Sequence, residues 1–282
     1  GTGDADDDGI LDIFDTNDIV RGSPRDLNRK LFLDFDGRND YAEDSPILGG
    51  LSNASLMAWI DLNSAFNSTG VVVGQDKFHI RVTGSRILQV VVNGTILSYG
   101  TPLNTSQWCH VAATYANGTL TLYLNGKSVA NVALSGAIAS DTSNLTLGKN
   151  PLTATSYFKG KIDEVRVFNV ALTANQVERM VYQEIQNNAS QVRGAIVPKD
   201  VGTLPWANLL KYYRMDTYKD DIVDNLTTGT IDTGTGMKLY NHKVINVQQA
   251  PMPFTTVRTG TFASAINDTT KDIRGLDALD FD

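Results

Sequence analysis

The residues best equipped for chemistry stand at the front of the chain, in the run Asp4–Asp15, DADDDGILDIFD. Numbered from Asp4, the carboxylates in ligand spacing fall at positions 1, 3, 5, 9 and 12, which are Asp4, Asp6, Asp8, Asp12 and Asp15, with Asp7 between them at position 4. A hard cation such as Ca²⁺ takes roughly six to eight oxygens, and this spacing wraps a short loop around one ion. Alternate side chains at Asp4, Asp6 and Asp8 point inward, Gly9 permits the sharp turn, and the Ile10 carbonyl supplies a backbone oxygen. Asp12 ligates directly or through water, and Asp15 closes the shell. Without an ion, carboxylates this close repel one another. A solvated acidic linker is the plainer reading of a charge run. The glycine at position 6 and the apolar Ile10, Leu11 and Ile13 favour the ion.

Such a loop needs a scaffold behind it. From Lys30 to about Gly160 the chain repeats one grammar, short β-rich segments separated by turn residues: LFLDF (31–35), SLMAWIDL (55–62), VVVG (71–74), KFHIRV (77–82), ILQVVV (87–92), CHVAATY (109–115), TLTLYL (119–124) and LTLG (145–148). Asn-Gly pairs at Asn93, Asn117 and Asn125 suit tight hairpin turns. In TLTLYL, Leu120, Leu122 and Leu124 share one face and Thr119, Thr121 and Tyr123 the other. Short alternating strands at this spacing predict an all-β, antiparallel sandwich. One C-terminal helix interrupts them. Thr173 and Gln176 form a capping box, and Val177, Met180, Val181 and Ile185 make an apolar stripe predicted to run to Asn187-Asn188.

The 282 residues are 41% hydrophobic and carry a net charge of −7. That is material for a sizeable core, and the wrong sign for nucleic acid, whose binders displace counterions with basic faces. No apolar run reaches the roughly 18 residues of a membrane span, so membrane insertion is not expected. The start, Gly1-Thr2-Gly3, reads as the beginning of an excised piece of a larger protein. Cys109 is the one cysteine, which excludes internal disulfides, and the nine Asn-x-Ser/Thr triplets follow from composition.

The quoted residues carry resemblances. D-x-D-x-D-G-x-x-D-x-x-D at 4–15 resembles a thrombospondin type 3 repeat, which implies a calcium-stiffened connector over residues 1–22. FDGRNDYAE (35–43), SLMAWIDL, QWCHVAATYANGTLTLYLNGKSVA (107–130) and YFKGKIDEVRVFNVALTANQV (157–177) resemble a laminin G-like, concanavalin A-type jelly roll over 28–187. That resemblance implies a structural calcium where the first strand meets the last, matching Asp36 and Asp163, with Asp40 beside them; an Asp36–Asp40 turn is the alternative. Residues 188–282 read as a smaller β-rich C-terminal module or the start of a further repeat, since LDFD at 279–282 repeats LDFD at 33–36; packing of this tail on the first sandwich is the other reading. The calcium repeat and the segments after the jelly roll are similar to large modular surface adhesins of gliding Bacteroidetes-type bacteria, exported by the type IX route. This implies an extracellular, cell-surface module with Ca²⁺ as cofactor. Its partners would be surface or extracellular glycans and neighbouring modules of the same chain. The alternative is a carbohydrate-binding module of a secreted polysaccharide-degrading enzyme.

Catalysis is not expected. No E-x-D-x-E run is present, and the adjacent pairs Glu43-Asp44 and Asp163-Glu164 should face opposite sides of a strand. They would not span a glycosidic bond at the roughly 5–10 Å that two-carboxylate hydrolysis uses. His79, His110 and His242 lack ligand spacing, and His110 reads as a packed, hydrogen-bonded histidine. Cys109 reads as a buried apolar thiol. Trp59 and Trp108 read as core, while Tyr41, Tyr99 and Tyr157, near turns, are candidates for an exposed ligand rim.

Overall fold

The computed structural model describes residues 31–195, 200–215, 218–219, 222–228, 236–241 and 245–247. The Asp4–Asp15 run, His242 and the closing LDFD lie outside the described residues. The expected strands form: β1 (Leu31–Asp36), β2 (Tyr41–Asp44), β3 (Ala54–Leu62), β4 (Gly70–Gln75), β5 (Phe78–Val82), β6 (Ile87–Val92) and β7 (Thr95–Pro102) come first. Then follow β8 (Trp108–Ala116), β9 (Gly118–Leu124), β10 (Lys127–Leu134), β11 (Leu145–Leu147), β12 (Lys159–Phe168) and the helix α1 (Ala174–Val181). Eight more strands complete the described residues: β13 (Ile185–Asn188), β14 (Gln191–Gly194), β15 (Asp200–Pro205), β16 (Leu209–Tyr213), β17 (Tyr218–Lys219), β18 (Ile222–Asp224), β19 (Gly236–Tyr240) and β20 (Ile245–Val247). Two of the three Asn-Gly pairs make the expected tight turn, Asn93 and Gly94 with φ of 50° and 84° and Asn125 and Gly126 with 48° and 80°, whereas at Asn117-Gly118 only the glycine has a positive φ, of 128°.

Two antiparallel sheets face each other, ordered β10-β9-β8-β3-β12-β1-β20, with β16 also on β12, and β17-β18-β19-β2-β11-β4-β5-β6-β7. Alternation decides what lies between them. Leu56, Ala58 and Ile60 of β3 meet Val72, Ile80 and Val90 of the second sheet in the main core, all fully buried. The expected all-β antiparallel sandwich with one helix is the observed fold. The described residues after Asn188 build largely into these same sheets, β16 against β12, β19 against β2 and β20 against β1. A small third sheet, β13-β14-β15, joins the helix.

The helix covers the outer face of the first sheet. Thr173 and Gln176 close the capping box with bonds of 3.2 and 2.9 Å. Val177, Met180 and Val181 are buried, each stabilising by roughly 1.5–3 kcal/mol. Outward residues of three strands, Met57, Ala112 and Tyr123, lie beneath.

The helix stops at Val181, short of the predicted Asn187-Asn188, and Ile185 instead opens β13. The cause is Arg166. Its guanidinium donates to the carbonyls of Met180 and Gln183 at 2.7 and 2.6 Å, capping the negative end of the helix with a buried charge. Arg166 in turn pairs with Glu164 at 2.9 Å, and Arg214 with Glu184 at 2.9 Å, in a cluster whose two carboxylate side chains are fully buried. Glu164 also accepts from the Tyr212 hydroxyl at 2.8 Å.

The expectation that Asp163 and Glu164 face opposite ways fails for a local reason. A bulge interrupts the β12–β3 register between Asp163 and Arg166, and Glu164 takes a left-handed φ of 52°. Its carboxylate therefore reaches Arg166 on the helix-covered face, the same face as Trp59, which stands opposite Asp163. Glu43 and Asp44 do diverge, Glu43 bonding Lys149 and Asp44 bonding Lys211.

Candidate ligand-binding site

The outer face of the second sheet carries no helix among the described residues. On β2, Ala42 is fully buried in the core, so Tyr41 and Glu43 point outward. On β19, Met237 and Leu239 are core residues, so Lys238 and Tyr240 point outward. The register places Tyr41 opposite Tyr240 and Glu43 opposite Lys238. Direct neighbours on one face interact. The two tyrosine rings stack with centroids 4.6 Å apart and planes 8° from parallel. Tyr157, from the segment before β12, brings a third ring to 6.4 Å from Tyr41.

Charges fix the platform. The Lys149 ammonium lies 3.9 Å from the Tyr41 ring centroid and 2.5 Å from Glu43 Oε1. Asn144 donates to the other Glu43 oxygen at 3.2 Å. The Lys238 ammonium lies 5.2 Å from the Tyr240 centroid. Burial raises the Tyr41 phenol above its ordinary value, with Lys149 pulling the other way. At neutral pH it is an uncharged hydroxyl, both donor and acceptor. Aromatic faces ringed by such groups can stack against the C–H face of a sugar ring and hydrogen-bond its hydroxyls.

Of the expected rim, Tyr41 and Tyr157 come together, and Tyr99 stands apart, packed against the core. Tyr240, Lys149 and Lys238 were not foreseen. The K-L-Y alternation within GMKLY signalled their side of the strand, but nothing local revealed which strand it would join.

The Asp36 and Asp163 pair is not brought together. Asp36 stands opposite Lys159 and Asp163 opposite Trp59, four residues further along β12, or about 13 Å by strand rise. Asp36 instead closes a turn: its Oδ1 accepts from the backbone of Arg38 and Asn39 at 2.7 and 3.2 Å, and its own N–H donates to Asp40 at 2.9 Å. Asp163 is buried and accepts from the Glu164 backbone at 2.8 Å. Among the described residues, no three His, Cys, Asp or Glu side chains gather as they would around a metal. Asp4, Asp6, Asp8, Ile10, Asp12 and Asp15 lie outside them.

His79 is buried, its Nδ1 3.1 Å from the Gln75 carbonyl, and burial lowers its pKa. His110 packs against Trp59 at 5.6 Å, but among the described residues its Nδ1 has no hydrogen-bond partner, against the expected hydrogen-bonded histidine. Burial first, and then the Arg166 charge, lower it to about 3. A folded pKa below the unfolded value of about 6.5 means the unfolded chain alone takes a proton between these values. His110 therefore weakens the fold as pH falls through that window, by about 1.4 kcal/mol per pH unit. His110→Phe should remove this component, making the stability difference between variant and wild type change with pH between 6 and 4. A pH-independent difference would contradict it. Cys109 is half-buried, and burial, then Asp61, push its thiol up to about 12, which keeps it protonated at neutral pH.

Residues 36–178 match the sequence profile of the Concanavalin A-like lectin/glucanases superfamily. No curated protein matches the chain. Among solved structures, a provisionally named carbohydrate-binding protein from Bacteroides ovatus ATCC 8483 superposes with a TM-score of 0.60 at 21% identity, covering 81% of this chain and 62% of its own. The heptameric SAP-like pentraxin of Limulus polyphemus has a TM-score of 0.48 at 16% identity, covering 79% of this chain and 97% of its own. The CBM40 module of a Ruminococcus gnavus IT-sialidase, bound to α2,3-sialyllactose, has a TM-score of 0.40 at 17% identity, over 47% of this chain and 84% of its own. The chain thus spans under two thirds of the Bacteroides protein's length.

Proposed function

The chain belongs to the concanavalin A-like lectin/glucanases superfamily, and from that premise we propose a non-catalytic, extracellular glycan-binding module of a cell-surface adhesin, stiffened by calcium. The observation that carries the glycan part is the Tyr41–Tyr240 stack, with Tyr157 and Lys149 beside it, on a sheet face left open by the helix. The Bacteroides protein's provisional carbohydrate-binding name agrees with this reading. The absence of catalysis is supported by the divergence of Glu43 and Asp44 and by the burial of Asp163 and Glu164 under the helix. No helix among the described residues is long and apolar enough to cross a membrane.

The adhesin and calcium parts rest on the sequence. The Asp4–Asp15 spacing would hold one Ca²⁺, and extracellular modules of this kind bind with dissociation constants of roughly 0.1–1 mM. Calorimetric titration of the whole chain with CaCl₂ should show saturable uptake in that range. Changing Asp6 and Asp8 together to Asn should abolish it; uptake that survives the double change would remove the loop from the account. A glycan array probed with the whole chain, with Ca²⁺ and with chelator, tests the function itself. Retention by a defined polysaccharide without turnover is the expected result. Shortening of that polysaccharide over hours would make the module an enzyme.

A further inference from the structure

A groove lies on the first sheet, away from the tyrosine stack on the second. Across one end of the first sheet, the register sets Trp108 of β8 opposite Asp61 of β3, Asp61 opposite Lys161 of β12, and Lys161 opposite Asp34 of β1. This row lies beyond the helix. It lines a groove of about 310 Å³, whose walls also include Asn63, Ser64 and Ser106. Trp108 also borders a second, separate hollow of about 230 Å³ lined by Thr101, Gln107, Cys109 and Leu124, the last two packed against the main core. From Asp34 on β1 to Trp108 on β8 the trough crosses three interstrand steps, about 14 Å. That length suits a chain of linked units better than a single ring.

Three features mark it as built for a ligand. Trp59 and Trp206 donate their indole N–H groups to the carbonyls of Val181 and Thr227 at 2.9 and 2.8 Å. Trp108 does not: among the described residues its N–H has no acceptor, and it is not sealed from solvent. Its ring is half-buried against Phe32, edge to face at 5.6 Å, so its orientation is fixed while part of its surface stays open. Asp61 supplies the complement. Its side chain is 8% exposed, one oxygen holds Lys161 at 3.0 Å, and the other is buried with no partner among the described residues. Lys161, with a side chain 29% exposed, sets its ammonium 5.1 and 5.9 Å from the Phe32 and Trp108 rings, so the charge stands between the aromatic wall and Asp61. Gly160, also in the lining, lets β12 lie close against β3 there, since a Cβ would meet the Asp61 carbonyl at 2.2 Å.

We propose that this trough binds an extended, hydroxyl-rich saccharide that is neutral or amino-substituted, stacked on Trp108 and donating to Asp61. Two carboxylates against one ammonium disfavour uronic or sulfated chains. An open aromatic face beside an unmet acceptor and an unmet donor matches the alternating C–H faces and hydroxyls of a pyranose. The proposal is independent of the tyrosine platform, which lies on the other sheet.

The test is titration of the whole chain with cellohexaose, laminarihexaose, mannohexaose and a chitosan hexamer, followed by tryptophan fluorescence and calorimetry. At least one should bind with a change in emission. Trp108→Ala should weaken that binding at least tenfold, and Ser64→Trp, at an exposed position on the wall, should block it by filling the trough while leaving the melting temperature unchanged. Leu152→Ser, distant and 64% exposed, serves as the control. Failure of all four saccharides to bind at millimolar concentration would overturn the proposal. So would binding that Trp108→Ala and Ser64→Trp leave unchanged.

Discussion

Arg166→Met is expected to lower the stability of the whole chain by about 3–5 kcal/mol, among the largest effects of any single substitution. The arginine is 1% exposed and satisfies three acceptors at once: the Glu164 carboxylate and the carbonyls of Met180 and Gln183. Its guanidinium also lies 5.3 Å from the Tyr212 ring. Methionine keeps most of the volume and removes every donor. The Glu164 carboxylate then stays buried with its charge uncompensated by Arg166, and the end of α1 loses its cap. Thermal denaturation should drop by roughly 10 °C, at about 2–4 °C per kcal/mol for a domain of this size. Adding Glu164→Leu to Arg166→Met should recover part of the loss, because an apolar pair costs less than a stranded charge. A single variant within about 1 kcal/mol of wild type would mean that water reaches this cluster and the ion pair is not what stops the helix.

The second large effect belongs to the tyrosine face. Tyr41→Ala together with Tyr240→Ala should reduce glycan affinity by about a hundredfold, or about 2.7 kcal/mol, the scale of a buried aromatic anchor. The fold should tolerate the change, since both rings are only partly buried and the β2–β19 ladder is made by backbone. Lys149→Met separates charge from stacking. If the ammonium only braces the Tyr41 ring, affinity falls a fewfold and salt dependence stays flat; if it meets an anionic sugar, the salt dependence of binding disappears with it.

The sandwich was legible because its signals are local. Alternation in TLTLYL and the Asn-Gly pairs at Asn93 and Asn125 each state a strand or a turn within a few residues. What was not legible depends on distant partners. The stripe Val177, Met180, Val181 and Ile185 is continuous in sequence, and only Arg166, arriving from β12, says where the helix ends. Asp163 and Glu164 obey strict alternation on paper, and an extra residue in the β12–β3 register defeats it. Tyr41 and Tyr157 were visible as turn-proximal aromatics, whereas Tyr240 joined them through a register linking residues about two hundred positions apart. Trp108 and Trp59 share a face of the sheet and look alike in sequence. Trp59 lies against Val181 and Tyr182 and is buried, while Trp108 is left at the margin, half-covered.

The most direct measurement is equilibrium binding of the whole chain to a polysaccharide retained on the array, compared with the Tyr41→Ala/Tyr240→Ala variant at matched melting temperature. Saturable binding by the wild type, intact polysaccharide recovered afterwards, and near-complete loss in the variant are expected. Unchanged binding by the variant, or a cleaved polysaccharide, would contradict it.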